Sequence, residues 1–151
     1  MVSTKVEERL GIYKSHSEVP AEYRFESFAA GIDGQNIWSE WNDIHSDSKW
    51  KRAEARRVKD RWGDHLEDTG RHYALATPED VESFIEGLLN EVQIERAYKP
   101  YWLFLKRFYH WLVWHTEYPH RYNPVLMASA NYPACGEVWD FVMSFDRESF
   151  K

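Results

Sequence analysis

The sequence predicts an all-α fold, a compact helical bundle of about four to five core helices with extra terminal helices. Three observations carry that expectation. Apolar residues recur at helical spacing along most of the chain. Strand-type alternation is sustained nowhere. Helix-start signals stand directly in front of the periodic runs. The 151 residues are 43% hydrophobic and 17% aromatic, with eight Trp, which suffices for a core and suits one domain.

The elements follow in order. Residues 4–14 read as a short helix, with a Thr4/Glu7 capping box and Val6, Leu10 and Tyr13 on one side. Pro20 and Gly31 bracket a second, "AEYRFESFAA". "GIDGQN" (31–36) is a loop, with Asn36 the cap for a helix whose inner face is Ile37, Trp38, Trp41 and Ile44. After "HSDS", Ser48 caps a helix from about Lys49 to Glu67, with Ala55, Val58, Trp62 and Leu66 inward. Gly70 marks a helix C-terminus. "TPEDVESFIEGLLNE" gives the clearest helix: Thr77 caps, Pro78 takes the first position, and Asp80 closes the box. A long helix from about Arg96 to Thr116 is apolar around most of its circumference, so it is expected to be the most buried. "EYPHRYNP" stops it. A short helix at 125–130 and a last one at about 136–145, with Val138, Trp139, Phe141, Val142 and Phe145, complete the chain.

Charge is unevenly spread. The net charge is −6, yet residues 49–61 hold seven basic and two acidic side chains, and residues 95–124 hold five and two. On a helical wheel Lys49, Arg52, Arg56 and Lys59 fall in one sector of about 80°, beside the apolar stripe, while Arg57 and Arg61 lie on the opposite flank. On the long helix Arg96, Lys99, Lys106, Arg107 and His110 gather on the outer side. Each line reads either as a solvated face or as a row of phosphate contacts. Glu54 and Asp60 are too few to compensate seven cations, and a helix built for solubility alternates signs. Tyr98 and Trp102 fit packing better than contact with a sugar or base.

Other chemistry is sparse. There is no glycine-rich phosphate loop and no nucleophile elbow. His115, Glu117 and His120 straddle a turn and make a poor metal set. Cys135, the only cysteine, permits no internal disulfide, which suits a cytoplasmic protein, and with His120 it lacks the context of a nucleophile. No catalytic residue, cofactor or metal is therefore expected. No apolar run approaches a membrane span, and the N-terminus lacks a signal-peptide apolar region.

Thr77 to Phe84 ("TPEDVESF"), Leu105 to Leu112 ("LKRFYHWL") and Asn123–Pro124, in that order after a basic helix, resemble the N-terminal core-binding (SAM-like) domain of the tyrosine recombinase, or phage integrase, family. The resemblance covers roughly Ile37 to Ala130. It implies a helical module lying against double-stranded DNA, with Lys49, Arg52, Arg56 and Lys59 on one backbone stretch and Arg96, Lys99, Lys106 and Arg107 on another. It implies a core-binding domain at 37–130, between an N-terminal extension at 1–36 and a C-terminal helical extension at 131–151. The family's catalytic half carries an Arg, a Lys, a His-x-x-Arg motif and a nucleophilic Tyr. After Pro124 only Arg147 and Tyr132 remain of those types besides Lys151, and no His-x-x-Arg occurs. The expectation is a non-catalytic DNA-binding protein, an accessory or regulator of site-specific recombination, with a recombinase or a second copy as further partner. The alternative is a protein–protein interaction or oligomerisation module that kept the fold but not DNA binding.

Overall fold

The computed structural model describes residues 5–32 and 36–149, with side chains through Ser144. The fold is all-α, and no strand occurs among the described residues. Six helices of eight residues or more are present there: α1 (Ile37–His45), α2 (Lys49–Leu66), α3 (Pro78–Leu89), α4 (Leu103–Trp114), α5 (Pro124–Asn131) and α6 (Pro133–Ser149). One buried apolar cluster runs from Val6 to Met143 and draws on every one of them. No helix among the described residues is long and apolar enough to cross a membrane.

The caps act much as the sequence predicts. Ser48 accepts the Lys51 N–H at 3.1 Å. Thr77 accepts the Asp80 N–H at 3.1 Å, and Asp80 accepts the Thr77 N–H at 3.0 Å. Gly70 takes the left-handed conformation (φ 73°) just after the turn Glu67–Thr69. Asn36 makes no side-chain cap; the Trp38 N–H instead donates to the Tyr73 hydroxyl at 3.1 Å.

The N-terminal third departs from expectation. Thr4 lies outside the described residues, and the first helix shrinks to a single turn, Val6–Arg9, ended by extended Leu10. "AEYRFESFAA" breaks into turns Ala21–Tyr23, Phe25–Phe28 and Ala29–Ile32, with extended Arg24 between the first two. That break sends Phe25 into the core, where it stacks on Tyr122 at 4.3 Å and tilts against His120 at 4.6 Å. The helical turn includes Gly31 and Ile32, so Gly31 is not the stop, and residues 33–35 of the expected loop lie outside the described residues.

The long helix is also shorter than expected. It begins at Leu103, because Pro100 cannot donate to a helical ladder and forces the residue before it out of the α region. Lys99 is accordingly extended (φ −120°, ψ 114°), and the Lys99–Pro100 peptide is cis. Nor is α4 the centre, since it exposes Arg107, His110 and Trp114. The centre is α5, whose residues Pro124 through Ser129 are all buried and which α3, α4, α6 and the Val6–Arg9 turn surround. Asn123 caps it, accepting from Val125 N at 3.0 Å, and donates to the Lys106 carbonyl at 3.1 Å, tying α5 to α4. The last helix starts earlier than expected, at Pro133, and Phe145 lies beyond the described side chains.

Candidate functional site

The α2 ridge comes from helix geometry. Ala55, Val58, Trp62 and Leu66 are buried, which fixes the orientation of the helix. Lys49, Arg52 and Arg56 are then exposed and Lys59 half-exposed. Arg52 Nε donates to the Ser46 carbonyl at 3.3 Å, and Lys59 Nζ sits 5.4 Å from the centre of the Tyr73 ring. None of these four forms an ion pair among the described residues, whereas their neighbours do. Lys51 pairs with Asp47, Arg57 with Glu54 and Arg61 with Glu91. The helix thus divides its cations: one flank is neutralised within the molecule and the other is not.

The second basic line does not survive as a line. Arg96 and Lys99 are exposed, but the Pro100 break separates them from Lys106 and Arg107. They follow the Glu91 that pairs with Arg61, and Tyr101, two residues beyond Lys99, lies under the Arg61 guanidinium at 5.5 Å. That segment therefore adjoins the paired flank of α2, away from the ridge.

Lys106 and Arg107 instead meet residues that the charge pattern does not single out. Together with His110, Trp111 and Trp114 of α4 and Trp41 and His45 of α1, they line a groove of about 480 Å³. None of the seven lining side chains is acidic, and Lys106 and Arg107 form no ion pair among the described residues. Trp114 is 76% exposed. Both α2 and α4 pack on α1, and the Ser46 carbonyl that holds Arg52 follows directly on groove residue His45. The signal in the sequence was the spacing of Arg107, His110 and Trp114, i, i+3 and i+7 on one face. Trp41 and His45 join through tertiary packing alone. Tyr98 and Trp102 are packing residues, Trp102 fully buried with its indole N–H on Ser129.

Half-burial, then Arg9 and Arg107, push the Lys106 ammonium below its usual range. Partial covering of its ring, then Lys106, push His110 down likewise, although the residue as a whole is exposed. Elsewhere the titratable groups serve the fold. Burial lowers His120 to about 4, and its Nε2 lies 2.6 Å from the Ala74 carbonyl. Cys135 is buried, and burial with Glu82 nearby keeps it a thiol. Among the described residues no three His, Cys, Asp or Glu side chains converge as a metal site. No family model, curated protein or solved structure matches the chain.

Proposed function

We propose that the chain binds duplex DNA without cleaving it, with Lys49, Arg52, Arg56 and Lys59 on one phosphate stretch and Lys106 and Arg107 on a second. The supporting observation is the division of cations on α2, where the ridge has no ion-pair partner among the described residues and the opposite flank has two. Exposed cations left uncompensated release counterions when they meet phosphates, and that release drives binding. Arg96 and Lys99 make a separate, peripheral contribution. The order of motifs resembles that of integrase core-binding domains, and on that resemblance the proposed setting is site-specific recombination, as accessory or regulator.

The test is fluorescence anisotropy of a mixed-sequence duplex titrated with the protein over a range of salt. Six phosphate contacts give a slope of log K against log salt of roughly −5. Lys49→Glu with Arg56→Glu, both at exposed positions without a packing role, is expected to abolish binding while the helical circular dichroism stays unchanged. Absence of binding at low salt would sink the reading. A second reading, an interaction module, draws support from Ile44, which the spacing placed on the inner face of its helix but the fold leaves 63% exposed, and from Trp50, 65% exposed across the α1–α2 turn. Light scattering that finds a stable dimer, lost on Trp50→Ser, would favour it.

A further inference from the structure

We propose that the groove between α1 and α4 holds an unpaired base of single-stranded nucleic acid, stacked on Trp114, with its phosphate on Lys106 and Arg107. This deepens the DNA-binding reading and rests on it in one respect, the assignment of these two cations to phosphate. The argument begins with Trp114. An indole is the largest apolar side chain and is normally well covered, yet this one is 76% exposed. It stands beside His110, ring centres 6.1 Å apart and planes tilted by 47°, in the groove that Lys106 and Arg107 also line. The volume, about 480 Å³, falls within the range of small-molecule sites.

The lining selects the occupant. An apolar helix would have to bury Lys106, Arg107, His110 and His45 unpaired, which is costly. A nucleotide satisfies both parts: its base offers a π-face to the indole, and its phosphate an acceptor to the cations. In a continuous duplex both faces of every base are covered by neighbours, so the base that enters must be unpaired. Lys106, half-buried with its ammonium 5.7 Å from the centre of the Trp102 ring and with Arg107 beside it, has no carboxylate partner among the described residues, so a phosphate reaching the groove supplies an anion that the protein does not.

The experiment compares three labelled probes in anisotropy titrations of the full chain: a twelve-residue oligothymidylate, its abasic counterpart, and the mixed-sequence duplex. Trp114→Ala is expected to weaken oligothymidylate binding about tenfold, a typical loss for one stacked base, and Trp114→Phe to recover most of it. Duplex affinity is expected to change less than twofold. The abasic probe should bind about as weakly to the wild type as oligothymidylate does to Trp114→Ala. Equal oligothymidylate affinity of Trp114→Ala and wild type would overturn the proposal, as would equal binding of the abasic and thymine probes. Duplex binding that persists with no effect of Trp114 on the single strand defeats this inference and leaves the duplex reading standing. Trp114-dependent single-strand binding without duplex binding does the reverse.

Discussion

His120 shows how a single side chain couples this core to pH. It is buried between Phe25, Tyr109 and Tyr118, with Nε2 on the Ala74 carbonyl and Nδ1 without a hydrogen-bond partner. A carbonyl accepts only, so Nε2 carries the proton and the ring is neutral. Burial holds its folded value at about 4, well below the 6.5 of an exposed imidazole. Between those values the unfolded chain binds a proton that the folded chain refuses, so the contribution is complete above pH 6.5 and is lost as pH falls toward 4. The loss is on the order of 3 kcal/mol. Urea midpoints measured from pH 7 to 4.5 should fall steeply in the wild type, and much less in His120→Gln, which keeps a neutral donor. Asp80 acts lower on the scale: Arg71 and the Thr77 N–H hold its carboxylate down against burial, so its contribution disappears only as pH falls through the carboxylate range. The Thr77 contact of Asp80 was legible as a capping box; the burial of His120 was not. His120 sits in a turn, and only the folded Phe25 and Ala74 make its surroundings apolar.

Among the elements, α6 owes its start to another helix. Its first residues follow Tyr132, which offers no cap, yet the Ala134 and Cys135 N–H groups both donate to the buried Glu82 carboxylate of α3 at 2.8 Å. A carboxylate at a helix N-terminus satisfies two orphan donors and faces the positive end of the dipole. Glu82→Ala leaves both donors buried and should cost about 3 kcal/mol; Glu82→Gln, with one acceptor oxygen, should cost about half as much. Chemical denaturation of the three proteins at neutral pH checks that order. Helices α2 and α3 were legible because their caps and apolar stripes are local. The Pro100 break was written in the sequence too, but the apolar periodicity of the segment hid it. The centrality of α5 lay in "PVLMASA", a run without a charge, which has no face to offer solvent. The capping by Glu82 could not be read, since it joins residues 52 apart.

At the scale of the whole molecule, a net charge of −6 and two basic surfaces are compatible because net charge does not fix where cations lie, and several carboxylates are held away from those surfaces. Asp80 and Glu82 are buried at helix starts, Glu54 is buried against Arg57, and Glu91 serves Arg61. The charge islands were legible because counting needs no fold; which cations stay uncompensated, and that α1 brings Trp41 and His45 to two of them, required the tertiary structure. This separation makes a prediction about stability. Cations that neutralise a buried carboxylate support the fold, so Arg71→Gln, which removes both guanidinium contacts to Asp80, should lower stability by about 2 kcal/mol. Lys49 and Arg56 form no ion pair among the described residues and stand beside other cations, so Lys49→Gln with Arg56→Gln should leave stability unchanged or raise it by a few tenths of a kcal/mol at low salt, a gain that vanishes at high salt as screening removes the repulsion. Thermal unfolding at two ionic strengths distinguishes the cases. A ridge variant that melts several degrees lower would mean that those side chains hold the fold together, and its loss of DNA binding would then say nothing about phosphates. A ridge variant that melts at or above the wild type ties that loss to the surface itself.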